Sequence, residues 1–122
     1  MSEKPILLSI IEVGGYPDFS PIYQQHGYDV VVESSMRKVL KFLKKNTPSV
    51  IVAEFNFQSD FRDRTSSLES MMSVVERMDN VRTVVFYEKE YSAQFDRLKA
   101  RFDFDHELLF PIDTEQLAIA VR

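Results

Sequence analysis

Five short, largely apolar runs recur along this chain of 122 residues, and polar or amphipathic segments separate them. The runs are Ile6–Ile11, Val30–Val32, Val50–Ala53, Thr83–Tyr87 and Glu107–Phe110. Apolar runs of this length are typical of strands that are buried on both faces of a sheet. Because helical patterns alternate with them, the sequence predicts the element order βαβαβαβαβα. We therefore predict one α/β domain over residues 1–122, a flavodoxin-like three-layer fold whose five-stranded parallel sheet has the order 2-1-3-4-5.

Capping residues mark the starts of several predicted helices. Ser34-Ser35 precede a segment whose apolar residues recur at helical spacing, and Ser66 with Glu69 three residues later forms a capping-box pattern. Ser92 is predicted to cap the fourth helix and Asp113 the last one. The side chains predicted to fill the core from the third and fourth helices are Leu68, Met71, Met72, Val75, Met78, Phe95, Leu98 and Phe102.

The charge balance limits the kinds of partner that this chain suits. It has 15 basic and 19 acidic side chains and a net charge of −4, whereas domains that bind nucleic acid are normally basic overall. No apolar stretch approaches the ~18 residues needed to cross a bilayer, and the first residues show no signal-peptide pattern. The absence of cysteine excludes disulfides and cysteine-ligated metals. We expect a soluble cytoplasmic protein that binds neither nucleic acid nor membranes.

The stretch from His26 to Phe55 resembles the second strand, second helix and third strand of bacterial response-regulator receiver domains of the chemotaxis-regulator kind. The Gly27-Tyr28 pair before the second strand and Pro48 before the third are typical of that family. Phe110-Pro111 corresponds to the Lys-Pro pair that follows the fifth strand of receivers. The element order agrees over the whole chain, and the specific motif similarity lies in its middle third.

The same resemblance implies a phosphorylation site that has lost its functional groups. Receivers carry the phosphoryl-accepting aspartate at the end of the third strand, where this chain has Glu54. They hold Mg²⁺ with two acidic residues after the first strand, where this chain has Ile10-Ile11 followed by Glu12. Tyr87 stands in place of a small hydroxyl residue, and Phe110 in place of the lysine. We therefore predict a degenerate receiver, or pseudo-receiver.

Phosphoryl transfer needs an in-line nucleophile, a metal ion and a positive charge on the transferred group. The predicted degenerate phosphoacceptor pocket consists of Glu12, Glu54, Tyr87, Phe110 and Pro111. We expect it to have no catalytic residue, no bound metal and no cofactor. The chain is accordingly not expected to be an enzyme.

Receivers typically associate through their fourth helix, fifth strand and fifth helix. The resemblance assigns this face to Ser92–Asp103, Glu107–Phe110 and Thr114–Arg122. Further candidate partner contacts are Phe61, Glu88 and Tyr91. The expected function is signal transduction by protein–protein interaction, either with another protein or as a homodimer.

Several residues have alternative interpretations. Glu54 could be a permanent mimic of the phosphorylated state, or a solvated acid at a strand end. Glu12 and Glu54 could also form a weak divalent-ion site, although two carboxylates make a poor one. The alternative function is a small-ligand or nucleotide-binding domain that uses the Gly14-Gly15 loop after the first strand.

The second predicted helix carries a run of basic residues. These are Arg37, Lys38, Lys41, Lys44 and Lys45. Such a run could contact an acidic partner or nucleic acid, but it is more often the solvated side of an amphipathic helix. We take the solvated side as the first interpretation.

Overall fold

The computed structural model describes residues 4–11, 18–55 and 68–122. Within these residues, five strands form one parallel sheet in the order β2-β1-β3-β4-β5. The strands are β1 (Ile6–Ile10), β2 (Asp29–Glu33), β3 (Val50–Glu54), β4 (Arg82–Tyr87) and β5 (His106–Leu109). The predicted fold and strand order are confirmed, and each strand end lies within one residue of its predicted position.

Helices cover both faces of this sheet. The described residues form α1 (Ser20–Gln25), α2 (Met36–Leu43), α3 (Leu68–Val75), α4 (Ser92–Lys99) and α5 (Thr114–Val121), with a 3₁₀ turn at Lys89–Tyr91. No helix in these parts of the chain is long and apolar enough to cross a bilayer. The polar segment 56–66, including Ser66, belongs to residues 56–67, which lie outside the described residues.

The core has two halves, because successive strand residues point to opposite faces of the sheet. Leu7, Val52 and Val84 pack with α1 and α5, whereas Ile51 and Val85 pack with α2, α3 and α4. The predicted core residues Met71, Met72, Phe95, Leu98 and Phe102 are buried in the second half, and Met78 packs against it. Alternation along β3 therefore directs Glu54 to the same face as Val52, toward α1.

Two of the predicted helix caps are confirmed and one is wrong. Ser35 accepts a hydrogen bond from the Lys38 amide at 3.2 Å, and Asp113 accepts one from the Glu115 amide at 2.8 Å. Ser92 does not cap α4, because the 3₁₀ turn leads directly into the helix and makes Ser92 its first residue. Its hydroxyl instead donates to the carbonyl of Lys89 at 2.7 Å.

The last helix is anchored by side chains from other elements. The Tyr28 hydroxyl donates to the carbonyl of Val121, and the Arg82 guanidinium donates to the carbonyl of Ala120 at 3.2 Å. The last carbonyls of a helix have no partner inside it, so these bonds supply what α5 lacks. This short helix is thereby held by contacts within the domain.

Candidate functional site

The carboxyl ends of the strands share one edge of the sheet, where ligand sites form in this kind of fold. Glu54 ends β3 and lies opposite Phe86 of β4. Tyr87 ends β4 and lies opposite Leu109, the last residue of β5. This edge is the candidate functional site.

Glu54 is buried, with only 2% of its surface exposed. It lines a cavity of about 20 Å³ together with the aromatic residues Phe19, Tyr23 and Phe86 and the apolar ends of β1 and β3. This burial rules out the interpretation of Glu54 as a solvated acid at a strand end. The carboxylate instead belongs to the closed interior of the sheet edge.

The aromatic wall of this cavity comes from α1 and β4. Phe19 directly precedes α1, and its ring meets the Phe86 ring edge-on with the centroids 5.7 Å apart. Tyr23 lies one turn further along the helix and is buried. Burial raises the pKa of the Tyr23 hydroxyl above its ordinary value, and the negative charge of Asp18 adds to the effect. The Tyr23 hydroxyl therefore stays neutral at physiological pH.

The cavity beside Glu54 is small, and its described lining carries no cation. A volume of about 20 Å³ holds roughly one water molecule. None of the described residues that line it is basic, so they supply no positive charge to a phosphoryl group. In the described parts of the chain, no three Asp, Glu, His or Cys side chains come close enough to hold a metal ion.

Tyr87 lies away from this cavity. Alternation along β4 turns its ring to the opposite face of the sheet, where its centroid is 4.7 Å from that of Phe95 in α4. Phe86, one residue earlier, is the β4 side chain that faces Glu54. The structure therefore does not bring Glu54 and Tyr87 together, although both end neighbouring strands.

Two acidic residues follow β4 at the same edge. The pKa of Glu88 is raised, first because its carboxyl group shares a hydrogen bond with Glu90. Partial burial and the negative charges of Glu90 and Glu54 raise it further. The charge of Glu54 thus has the smallest of these effects on Glu88, and Glu90 has the largest.

The residues after β5 lie at the surface. Phe110 is 42% exposed and Leu109 is 44% exposed. The Phe110 amide donates to the carbonyl of Tyr87 at 2.8 Å, and the peptide bond to the exposed Pro111 is cis. Phe110 and Pro111 therefore form an apolar rim at the surface, and neither lines the cavity beside Glu54.

The predicted association face includes an ion-pair network as well as this apolar rim. Lys99 of α4 contacts Asp96 at 3.3 Å and reaches Glu107 of β5 at 3.1 Å. Ile119, on the outer side of α5, is 57% exposed. Tyr91 is half-buried and packs against the core beside α4.

Some predicted site residues lie outside the described residues. These are Glu12, Gly14-Gly15 and Phe61. The weak divalent-ion site, the ligand-binding Gly-Gly loop and the Phe61 contact therefore stay predictions.

Sequence reasoning missed Phe19, Tyr23 and Phe86, which line the cavity beside Glu54. The alternation of buried side chains along β4 was the available signal for Phe86, because residues two apart share a face.

Comparison with known proteins finds similarity in fold and none in sequence. No family model matches the chain, and no curated protein matches it in sequence. A response-regulator receiver domain protein from Clostridium thermocellum has a TM-score of 0.72 at 14% identity, over 96% of this chain and 90% of that chain. A CheY-like receiver domain protein from Methanospirillum hungatei JF-1 has a TM-score of 0.70 at 10% identity, over 98% and 91%.

A third similar structure is the signal receiver domain of an HD domain-containing protein from Pseudomonas fluorescens Pf-5. It has a TM-score of 0.71 at 10% identity, over 98% of this chain and 93% of that chain. At these identities the similarity shows the fold alone. The chain has the fold of receiver domains along nearly its whole length.

Proposed function

We propose that this chain, which has the receiver fold, is a cytoplasmic signalling domain that does not accept a phosphoryl group and acts by binding protein. The observation that carries the proposal is the burial of Glu54, which is 2% exposed beside a cavity of about 20 Å³. An acceptor must be open to a phosphodonor, and this carboxylate is enclosed by side chains.

The chemistry of the surrounding residues supports the same conclusion. Ile10 and Ile11 line the cavity at the end of β1. Their apolar side chains cannot coordinate Mg²⁺, which requires oxygen ligands. Phe110 brings no charge where a cation would stabilise the developing negative charge of the transferred group.

We assign protein binding to the face formed by α4, β5 and α5, because exposed apolar and charged side chains lie together there. Leu109 and Phe110 are exposed and adjacent in sequence, and the ion pairs of Lys99 lie beside them. An apolar patch with charged groups around it is typical of protein interfaces. The proposed partner is a second copy of the chain or another protein.

Sedimentation velocity over a range of protein concentrations tests the self-associating form of this proposal. We expect the sedimentation coefficient of the wild type to rise with concentration, and the double variant Leu109→Ser/Phe110→Ser to weaken association at least about tenfold, since two exposed apolar side chains are lost. Val32→Ser is the matched control, because Val32 is 52% exposed on the opposite edge of the sheet.

A wild-type chain that stays monomeric at every concentration contradicts the homodimer and leaves another protein as the partner. Equal weakening by the Val32 variant contradicts the assignment of the face.

The same assay tests Glu54 as a permanent mimic of the phosphorylated state. Glu54→Gln removes the charge with little change of shape, and unchanged association excludes that role.

A further inference from the structure

The outer side of α2 carries a continuous stripe of positive charge, which we call the α2 basic face. It consists of the exposed residues Arg37, Lys38, Lys41, Lys44 and Lys45. Arg37, Lys38 and Lys41 lie in α2 on the side opposite the buried Met36, Val39 and Leu43, and Lys44 and Lys45 follow in the turn after the helix. The helical part of the stripe, from Arg37 to Lys41, is about 6 Å long at a rise of ~1.5 Å per residue, and the turn extends it.

The α2 basic face has no acidic partner among the residues that the structure describes. The ion pairs found there join Lys99 to Asp96 and Glu107, and Arg101 to Glu69. None of them involves α2, although α2 packs directly against α3. The five charges therefore face solvent without neutralisation from the described part of the domain.

Part of this arrangement is unfavourable for the helix, although Lys41 in the last turn interacts favourably with the helix dipole. Arg37 and Lys41 are like charges four residues apart in α2, and such a pair destabilises a helix. Arg37 and Lys38 also lie in the first turn, which contains no acidic residue and where the helix dipole disfavours cations. A face that served only for solubility would be expected to mix both signs of charge.

The charges of the whole chain are segregated around this face. Without these five residues, the chain has ten basic and nineteen acidic side chains, a net charge of −9. The basic face is thus a local positive surface on an acidic protein. A surface of this kind attracts anionic groups over distances of about one Debye length, ~8–10 Å at moderate salt.

We propose that the α2 basic face is a docking surface for an acidic segment of a partner protein. Ser35 and Leu40 lie among the five cations on this open surface. Carboxylates of the segment meet the cations, and an apolar side chain of the segment contacts Leu40. The short stripe matches a short segment, because a longer polyanion would extend over the acidic remainder of the domain.

The composition of the face argues against nucleic acid as the occupant. Four of its five cations are lysines, which bind carboxylates and phosphates alike as single charges. Phe42, the aromatic residue within this run, is half-buried and packs against the core. It offers no exposed platform on which nucleic-acid bases could stack.

This surface is separate from the association face proposed above. α2 contacts β2, which forms the edge of the sheet opposite β5. Docking at α2 therefore neither requires nor prevents association through α4, β5 and α5. Sedimentation velocity tests the association face, and peptide binding tests the α2 basic face, so one proposal can fail without the other.

Fluorescence anisotropy with the full chain tests the docking surface. The probe is a fluorescein-labelled peptide of glutamate and alanine with one central leucine, about twelve residues long so that a helical form covers the stripe. We expect saturable binding that weakens as salt increases from about 50 to about 300 mM, because exposed charge pairs are screened. Lys38→Gln/Lys41→Gln/Lys44→Gln is expected to weaken binding about tenfold, since three weak charge pairs are lost.

The matched control is Lys89→Gln/Arg97→Gln/Arg122→Gln, which removes the same charge from three exposed residues outside α2 and the elements packed on it. Its binding is expected to equal that of the wild type. Circular dichroism checks the fold of both variants, and the α2 variant is expected to unfold at no lower temperature, because like-charge repulsion is removed.

Three outcomes would overturn the docking proposal. One is the absence of saturable peptide binding, and another is equal weakening by both triple variants, which would indicate a response to net charge alone. The third is tighter binding to a duplex DNA of about twenty base pairs, or to vesicles containing phosphatidylserine, than to the acidic peptide.

Discussion

At the scale of single residues, Glu54 combines a charge with burial among aromatic side chains. Removing a carboxylate from water costs several kcal/mol unless surrounding groups compensate. Phe19 and Phe86 close the cavity beside it and leave space for about one water molecule. Glu54 is therefore buried at the carboxyl edge of the sheet.

The raised pKa of Glu88 predicts a pH dependence of stability. A carboxyl group whose pKa is higher in the folded than in the unfolded state contributes less stability as the pH rises from its unfolded to its folded pKa. We expect Glu88→Gln to remove this loss, because the uncharged amide does not repel Glu90 and Glu54. The Glu88→Gln variant should gain stability relative to the wild type as the pH is raised from about 4 to 7.

Urea unfolding across that pH range measures the effect. The exposed Glu76→Gln is the control, and it is expected to leave the slope of stability against pH unchanged. A wild-type slope that persists in Glu88→Gln would contradict the assignment of the effect to Glu88.

At the scale of elements, the N-terminus of α2 depends on a single cap. Ser35→Ala removes the acceptor for the Lys38 amide and is expected to lower the free energy of unfolding by about 1 kcal/mol. The first turn of α2 has no acidic residue that could take over this role. Chemical denaturation compares this variant with Ser34→Ala, which changes a neighbouring exposed serine that does not cap the helix. Equal effects of the two substitutions would contradict the cap.

The strands and their order could be predicted because local pattern determines them. Val50–Ala53 is a short apolar run, and a strand buried on both faces needs little more than such a run and a crossover connection on each side. The start of α2 was also predicted, since the serine pair Ser34-Ser35 precedes it and serine is a preferred capping residue.

The wall of the site could not be predicted in the same way. Phe19 and Tyr23 face Glu54 only because α1 packs across the sheet at one particular position, and that position depends on contacts between residues far apart in sequence. The 3₁₀ turn at Lys89–Tyr91 was missed for a similar reason. The serine at its end looked like a helix cap, although the turn already continues into α4.

At the scale of the whole molecule, the closed site lies between two surfaces at opposite edges of the sheet. Leu109 and Phe110 are exposed beside β5, and the α2 basic face lies near β2. The proposals for both surfaces are consistent with a domain that acts by binding.

The central claim is that this receiver fold does not accept a phosphoryl group. Beryllofluoride with Mg²⁺ imitates a phosphorylated aspartate, and the amide NMR signals of Glu54 and Phe55 report on the end of β3 directly. Addition of Mg²⁺ alone serves as the control for weak metal binding. We predict that beryllofluoride with Mg²⁺ leaves both signals at the positions they have with Mg²⁺ alone, whereas a saturable shift of either signal would contradict the account.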